Sequence, residues 1–193
     1  MKLKSLLMTV LVASAGMMVN AAQAVNLSTA STPTFVTDGQ GGFNSVFGNV
    51  FASSTTGDTF NDKYFFNFNT GVDSSASLTS TYLKSSYVKD LLITGFSLTQ
   101  IDPVTKAHLA SFGGVNETAS TAHPKDSWSL TSYGLTSGSY FLEVDGKVVG
   151  NGGGTYAVDM TVSPVPEPEA YAMLLGGLGL IGFAARRRKA ARA

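Results

Sequence analysis

The chain contains no cysteine. Disulfides, thiolate zinc sites and cysteine nucleophiles are therefore excluded, whereas export is not, because bacterial envelope proteins can fold without bridges. Charge is also scarce: Asp, Glu, Lys and Arg make up 13% of the 193 residues, about half the usual share in soluble domains. Only two histidines occur, His108 and His123, and they lack the HExxH spacing of a zinc protease. No G-x-S-x-G nucleophile elbow is present, since GLTSG (134–138) has its serine one place late. GNGGG (150–154) matches neither a phosphate loop nor a dinucleotide fingerprint and reads as a hairpin loop. No residue is therefore marked as catalytic or cofactor-binding, and the chain is expected not to be an enzyme. Carboxylates are plentiful but no pair is singled out, so a polysaccharide hydrolase with an unsignalled site stands as the weakest alternative.

What charge there is lies unevenly. All 13 acidic residues fall between Asp38 and Glu169, and residues 25–168 carry 12 acids against 6 lysines, a net charge of −6. An acidic body without a basic patch argues against nucleic-acid binding. The other cations gather at the ends. At the front, Lys2 and Lys4 precede an apolar run and the small-residue site Ala22-Gln23-Ala24, which is the pattern of a secretory signal peptide over 1–24. The run is apolar on every face, unlike the single stripe of an amphipathic helix. Cleavage after Ala24 makes Val25 the first mature residue.

The end reads VPEPEAYAMLLGGLGLIGFAARRRKAARA. Three prolines between Pro164 and Pro168 predict an extended strut that is neither helix nor inner strand. It suits either an enzyme that needs accessible extended peptide or a plain linker to a permanent anchor. Residues 170–185 carry no charge over 16 positions. They are expected to form a transmembrane helix of roughly 24 Å, short of the roughly 30 Å hydrocarbon core. Arg186, Arg187, Arg188 and Lys189 act as a cytoplasmic stop, which turns the body of the protein away from the cytoplasm.

Residues 25–163 read as one all-β domain. Tyr140, Leu142 and Val144 alternate with Phe141 and Glu143, and Asp145-Gly146 predicts a two-residue hairpin turn before Lys147. Tyr156, Val158, Met160 and Val162 alternate with Ala157, Asp159 and Thr161 as a half-buried strand. With FNSVFGNVF (43–51), residues 75–83, 90–101 and 127–135, some seven short strands predict an antiparallel β-sandwich of jelly-roll or immunoglobulin-like shape. In TFNDKYFFNFN, Phe60, Asp62, Tyr64, Phe66 and Phe68 share one face. A carboxylate among aromatics needs donors or a cation. Asp62 is expected to bond donors structurally, and calcium, helped by Asp58 and Asp73, is the alternative. Asn26-Leu27-Ser28 and Asn116-Glu117-Thr118 match the short glycan-acceptor pattern. Trp128 and the tyrosines serve core packing or, alternatively, stack on sugars.

Val165, Pro166, Glu167 and Pro168, the apolar stretch and the basic cluster after it resemble the PEP-CTERM sorting signal of Gram-negative bacteria, over 164–193. The resemblance implies recognition by an exosortase, a membrane-embedded transpeptidase. It also implies passage through the secretory translocon and signal peptidase, transient anchoring with the domain facing the periplasm, and delivery to the cell surface or to an exopolysaccharide or biofilm matrix. Phe60-x-Asp62-x-Tyr64 resembles the signature of an FxDxF subgroup, with tyrosine in place of the last phenylalanine. Residues 135–162 are similar in style to the final hairpins of bacterial pre-peptidase sandwich domains. The leading expectation is a non-enzymatic surface or matrix protein, and the second is a carbohydrate-binding module.

Overall fold

A computed structural model describes residues 24–83, 88–118, 125–165 and 168–190. Ala22 and the rest of the expected leader up to residue 23, His123, and Pro166 with Glu167 lie outside the described residues. The strands are β1 (Ala30–Ser31), β2 (Val36–Thr37), β3 (Phe43–Phe51), β4 (Thr59–Phe68), β5 (Val72–Ser80), β6 (Tyr82–Leu83), β7 (Val88–Lys89), β8 (Leu91–Ile101), β9 (His108–Gly113), β10 (Val115–Asn116), β11 (Ser127–Leu135), β12 (Gly138–Val148) and β13 (Gly154–Pro164), followed by one helix, α1 (Pro168–Ala190).

Two sheets face each other. One runs β1-β4-β12-β8-β9 and the other β10-β11-β5-β13-β3-β2, with β6 and β7 forming a separate ribbon. Pairing is antiparallel throughout except where β1 lies parallel to β4. When the eight long strands are counted in chain order, one sheet reads first-eighth-third-sixth and the other second-seventh-fourth-fifth. This interleaving is jelly-roll order, one of the two shapes expected. Of the links between these eight long strands, that from β8 to β9 alone stays within a sheet.

The two-residue period of a strand explains why these segments form the sandwich. Along β4 the even-numbered residues from Phe60 to Phe66 are buried, while Asn61, Lys63 and Phe65 are only partly covered. β5 and β13 alternate likewise, placing Leu78, Val158 and Met160 against Leu98, Leu142 and Val144 in one core. Each such side chain contributes about 1.5–3 kcal/mol on leaving water.

Three expectations are corrected. Asp145-Gly146 is not a turn: β12 runs through it to Val148, and its pairing with β8 shifts by a bulge between the two residues. Gly146 does not adopt the positive φ that such a turn requires. Glycine is needed there because the Phe60 ring lies across the strand, 2.4 Å from where a Cβ would sit. GNGGG is not a hairpin loop within one sheet either, since it carries the chain from β12 to β13 in the opposite sheet. The third correction concerns the expected membrane span over 170–185. The helix runs longer, from Pro168 to Ala190, with proline in its first turn where the missing N–H costs nothing. Yet among the described residues no helix is long and apolar enough to cross a membrane. The uncharged stretch stops at Arg186, and Gly176, Gly177, Gly179 and Gly182 dilute its hydropathy.

Leu142 is fully buried at the centre of its sheet, between Tyr64 and Leu98. Leu142→Ala is expected to cost about 2–5 kcal/mol through lost contacts and residual cavity. Urea unfolding of the protein measures it, and a loss below about 1 kcal/mol contradicts this core assignment.

Candidate functional sites: a buried aspartate, a polar groove and the tail

Asp62 is completely buried near the middle of β4. Its Oδ1 accepts from the backbone N–H of Thr29 at 2.8 Å and from the Thr29 hydroxyl at 2.9 Å. Its Oδ2 accepts from Asn49 Nδ2 on β3 at 2.9 Å and from the Tyr156 hydroxyl on β13 at 2.5 Å. Four donors fill the acceptor positions of one carboxylate, which offsets the cost of burial. Asp62 thereby joins the two sheets and the segment leading into β1. Phe60, Asp62 and Tyr64 are all turned inward, as the alternation predicts. Phe60 stacks on Phe51 at 4.4 Å between ring centroids, and Phe47 lies 4.4 Å from Tyr64.

The two phenols of this network meet at 2.8 Å between their oxygens. Burial, with the Asp62 charge behind it and the Tyr156 hydrogen bond only partly offsetting it, pushes Tyr64 up to about 12. Tyr156 is driven much further above its ordinary range, first by burial and then by its hydrogen bonds to Asp62 and Tyr64.

The other carboxylates expected to assist calcium do not join Asp62. Asp58 accepts from the Val25 N–H and Asp73 from the Gly134 N–H, both at 2.7 Å. Among the described residues no three Asp, Glu or His side chains gather closely enough to hold a metal ion. His108 lies against the Phe141 ring, 5.5 Å between centroids. Trp128 packs partly buried against the core. Asn26 and Asn116 fold into local turns, each accepting from the N–H two residues on, Ser28 at 3.0 Å and Thr118 at 2.9 Å.

A groove that the sequence reading did not single out lies on the outer face of the six-stranded sheet. The pairing of β11 with β5 shifts between Ser132 and Leu135. Gly134 there has φ +63°, and its N–H is the one held by Asp73. A bulge of this kind re-aims a side chain, and Tyr133 stands 77% exposed. Beside it lies a groove of about 250 Å³, whose walls include Asp73, Ser75, Thr131, Thr161 and Ser163. Thr131, Ser75 and Thr161 form one cross-strand row, and Asp73 and Ser163 are direct neighbours in the next. The available sequence signal is the broken alternation at Tyr133-Gly134, where buried Ser132 and Leu135 are separated by two exposed residues.

At the far end of β13, Val165 donates its N–H to Gly71 O at 3.0 Å, and the chain then leaves the body. A cleft of about 340 Å³, walled by Phe35, Phe43, Phe68 and Pro164 among others, lies at this root. In α1, Met173, Leu175, Leu178, Leu180, Ile181 and Phe183 are all more than half exposed, so this stretch is not buried against the sandwich.

Asp62→Ala is expected to strand four donors and to cost about 3 kcal/mol or more, on the order of 10 °C in Tm. Unchanged thermal melting rejects the structural role. The Tyr64 phenol stabilises the fold by staying neutral: its contribution is full below its ordinary value of 10.0 and is lost as pH rises through about 12. Phenolate absorbance of Tyr64 should therefore appear together with loss of β-sheet circular dichroism, and ionisation in a still-folded protein contradicts its burial.

Residues 164–189 match the PEP-CTERM protein-sorting motif. No curated protein matches the chain. Among solved structures it is similar to the pre-peptidase C-terminal domain of collagenase from Bacillus anthracis, 15% identical at a TM-score of 0.30 over 73% of this chain and 99% of that one. It is also similar to Aeromonas hydrophila PliG, a periplasmic lysozyme inhibitor of g-type lysozyme, 12% identical at a TM-score of 0.31 over 72% of this chain and 98% of that one. Likeness at that level carries no functional weight. What the comparisons establish is that a PEP-CTERM protein-sorting motif closes this chain, directly after the last strand of its β-sandwich.

Proposed function

We propose that this chain is an exported, non-enzymatic surface or matrix protein of a Gram-negative bacterium, a β-sandwich passenger sorted and trimmed by exosortase. The observation that carries the reading is the sorting motif over 164–189 at the exit of a closed sandwich. The leader takes the chain into the translocon, and signal peptidase removes it. The basic cluster Arg186 to Lys189 stays cytoplasmic and leaves the sandwich facing the periplasm. A helical segment too short and too dilute to hold a bilayer unaided suits transient engagement, with arginine and tyrosine extending its reach at the interfaces. Exosortase then acts near Pro166 to Pro168, and the sandwich passes to the surface or into exopolysaccharide and biofilm.

A carbohydrate-binding role is the second reading, favoured by the Tyr133 groove. One exposed ring beside a row of hydroxyls and a carboxylate offers a stacking platform and hydrogen bonds to a sugar. The lining carries no cation. That composition fits a neutral glycan better than an acidic one.

Intact-mass spectrometry of the protein from its own host is expected to show a chain beginning at Val25 and lacking the residues beyond the Pro-Glu-Pro site. A chain of 193 residues in the cytosol overturns the export reading. In a pull-down of the mature protein on neutral polysaccharides, Tyr133→Ala is expected to weaken binding about tenfold or more, since truncating an aromatic anchor at a binding surface costs about 2 kcal/mol or more. Its Tm should stay within about 2 °C, as for other exposed substitutions. Equal binding by both proteins removes the groove from the function.

A further inference from the structure

Val25 is positioned to gain a charge, and a partner for that charge is already in place. Its backbone nitrogen donates to Asp58 Oδ1 at 2.7 Å. Its carbonyl accepts from Thr59 N–H at 3.0 Å, and Leu27 N–H reaches Thr59 O at 2.8 Å, so the segment is clamped directly after the contact. Asp58 is equally fixed: its carbonyl accepts from Val148 N–H at 2.9 Å, and Gly57 N–H donates to Val148 O at 2.8 Å. Ala24 and Val25 are exposed, with Val25 at 57%.

We infer that removal of the leader is also a folding step: cleavage between Ala24 and Val25 converts an amide hydrogen bond into an ion pair between the new α-ammonium of Val25 and Asp58. The inference rests on the export reading and goes beyond it. Signal peptidase catalyses hydrolysis of the peptide bond, with water as the co-reactant. Water supplies a hydroxyl to the Ala24 carbonyl carbon and a proton to the Val25 nitrogen. The acid proton of Ala24 then passes to the amine, so that a carboxylate departs with the leader and an ammonium stays. No electrons change hands. The amide hydrogen bond to the Asp58 carboxylate is charge-assisted on the acceptor side only; the ammonium adds a full opposite charge and two further N–H donors. The new cation also sits in a body whose residues 25–168 carry a net −6. The segment so fastened supplies Thr29 to Asp62 four residues later. Processing thus tightens the segment that supplies two of the four donors to the buried carboxylate.

The test is a double cycle on the mature chain purified from its host. One arm neutralises the α-amine by N-terminal-selective acetylation, which leaves an amide N–H in place. The other is Asp58→Asn. Each alone is expected to lower Tm by about 2–4 °C, and the two together by no more than either. Additive losses, or no loss on acetylation, overturn the ion pair while leaving export intact. A purified chain that retains residues 1–24 overturns the export reading itself. A first residue other than Val25 overturns the cleavage bond and the ion pair with it.

Discussion

The sandwich is organised around one fully buried carboxylate. Asp62 sits in the middle of β4, and its four donors come from the opposite sheet and from the segment before β1. Apolar packing alone would let two sheets slide against each other at small cost, because dispersion contacts are individually weak and non-directional. A carboxylate with a fixed set of donors has one acceptable register. Tyr156 shows how far the constraint reaches, since its hydroxyl bonds Asp62 while its ring lies 5.7 Å from Phe60. The aromatic wall and the polar knot are therefore one unit, in which moving either ring breaks a charge-assisted bond.

Set against this tightly specified body, the ends of the chain follow a different logic. The sandwich side of the molecule has a shared core and a buried carboxylate bonded through both oxygens, whereas the exposed stretch of α1 presents Leu, Ile, Met and Phe around it with no cover from the sheets. Such a segment is at odds with water, and it joins the proline-rich exit to the basic cluster through about four uncharged turns. The division of labour is spatially simple: β13 leaves the sandwich at Pro164, and the sorting motif begins at that same residue.

Much of this was legible in the sequence wherever a two-residue period dominated. FNSVFGNVF and SWSLTSYGL became β3 and β11 with the bounds read from their patterns, and the inward face of β4 followed from alternation alone. The bulge at Asp145-Gly146 was misread because a glycine chosen for the space under Phe60 looks, in one dimension, like a glycine chosen for a turn. The loop at 150–154 was misread for a related reason, since a glycine-rich connection does not say which sheet it leads to. The short strands β1 and β2 carry too few residues for any period, and their pairing depends on partners far along the chain. Asp62 itself could be flagged as anomalous from sequence, but its donors Thr29, Asn49 and Tyr156 could be found only in three dimensions. Tyr133 escaped because its exposure comes from a bulge and not from composition.

The jelly-roll interleaving has a consequence for the order in which the protein is made. β13 lies between β3 and β5 in the six-stranded sheet, yet it is the last strand of the body to be synthesised. A chain made from its N-terminus keeps two open strand edges until those eleven residues arrive. Only a few residues separate that moment from the emergence of the tail. Completion of the cargo and presentation of its label are thus nearly simultaneous, and a half-made sandwich carries no label for the sorting machinery to read.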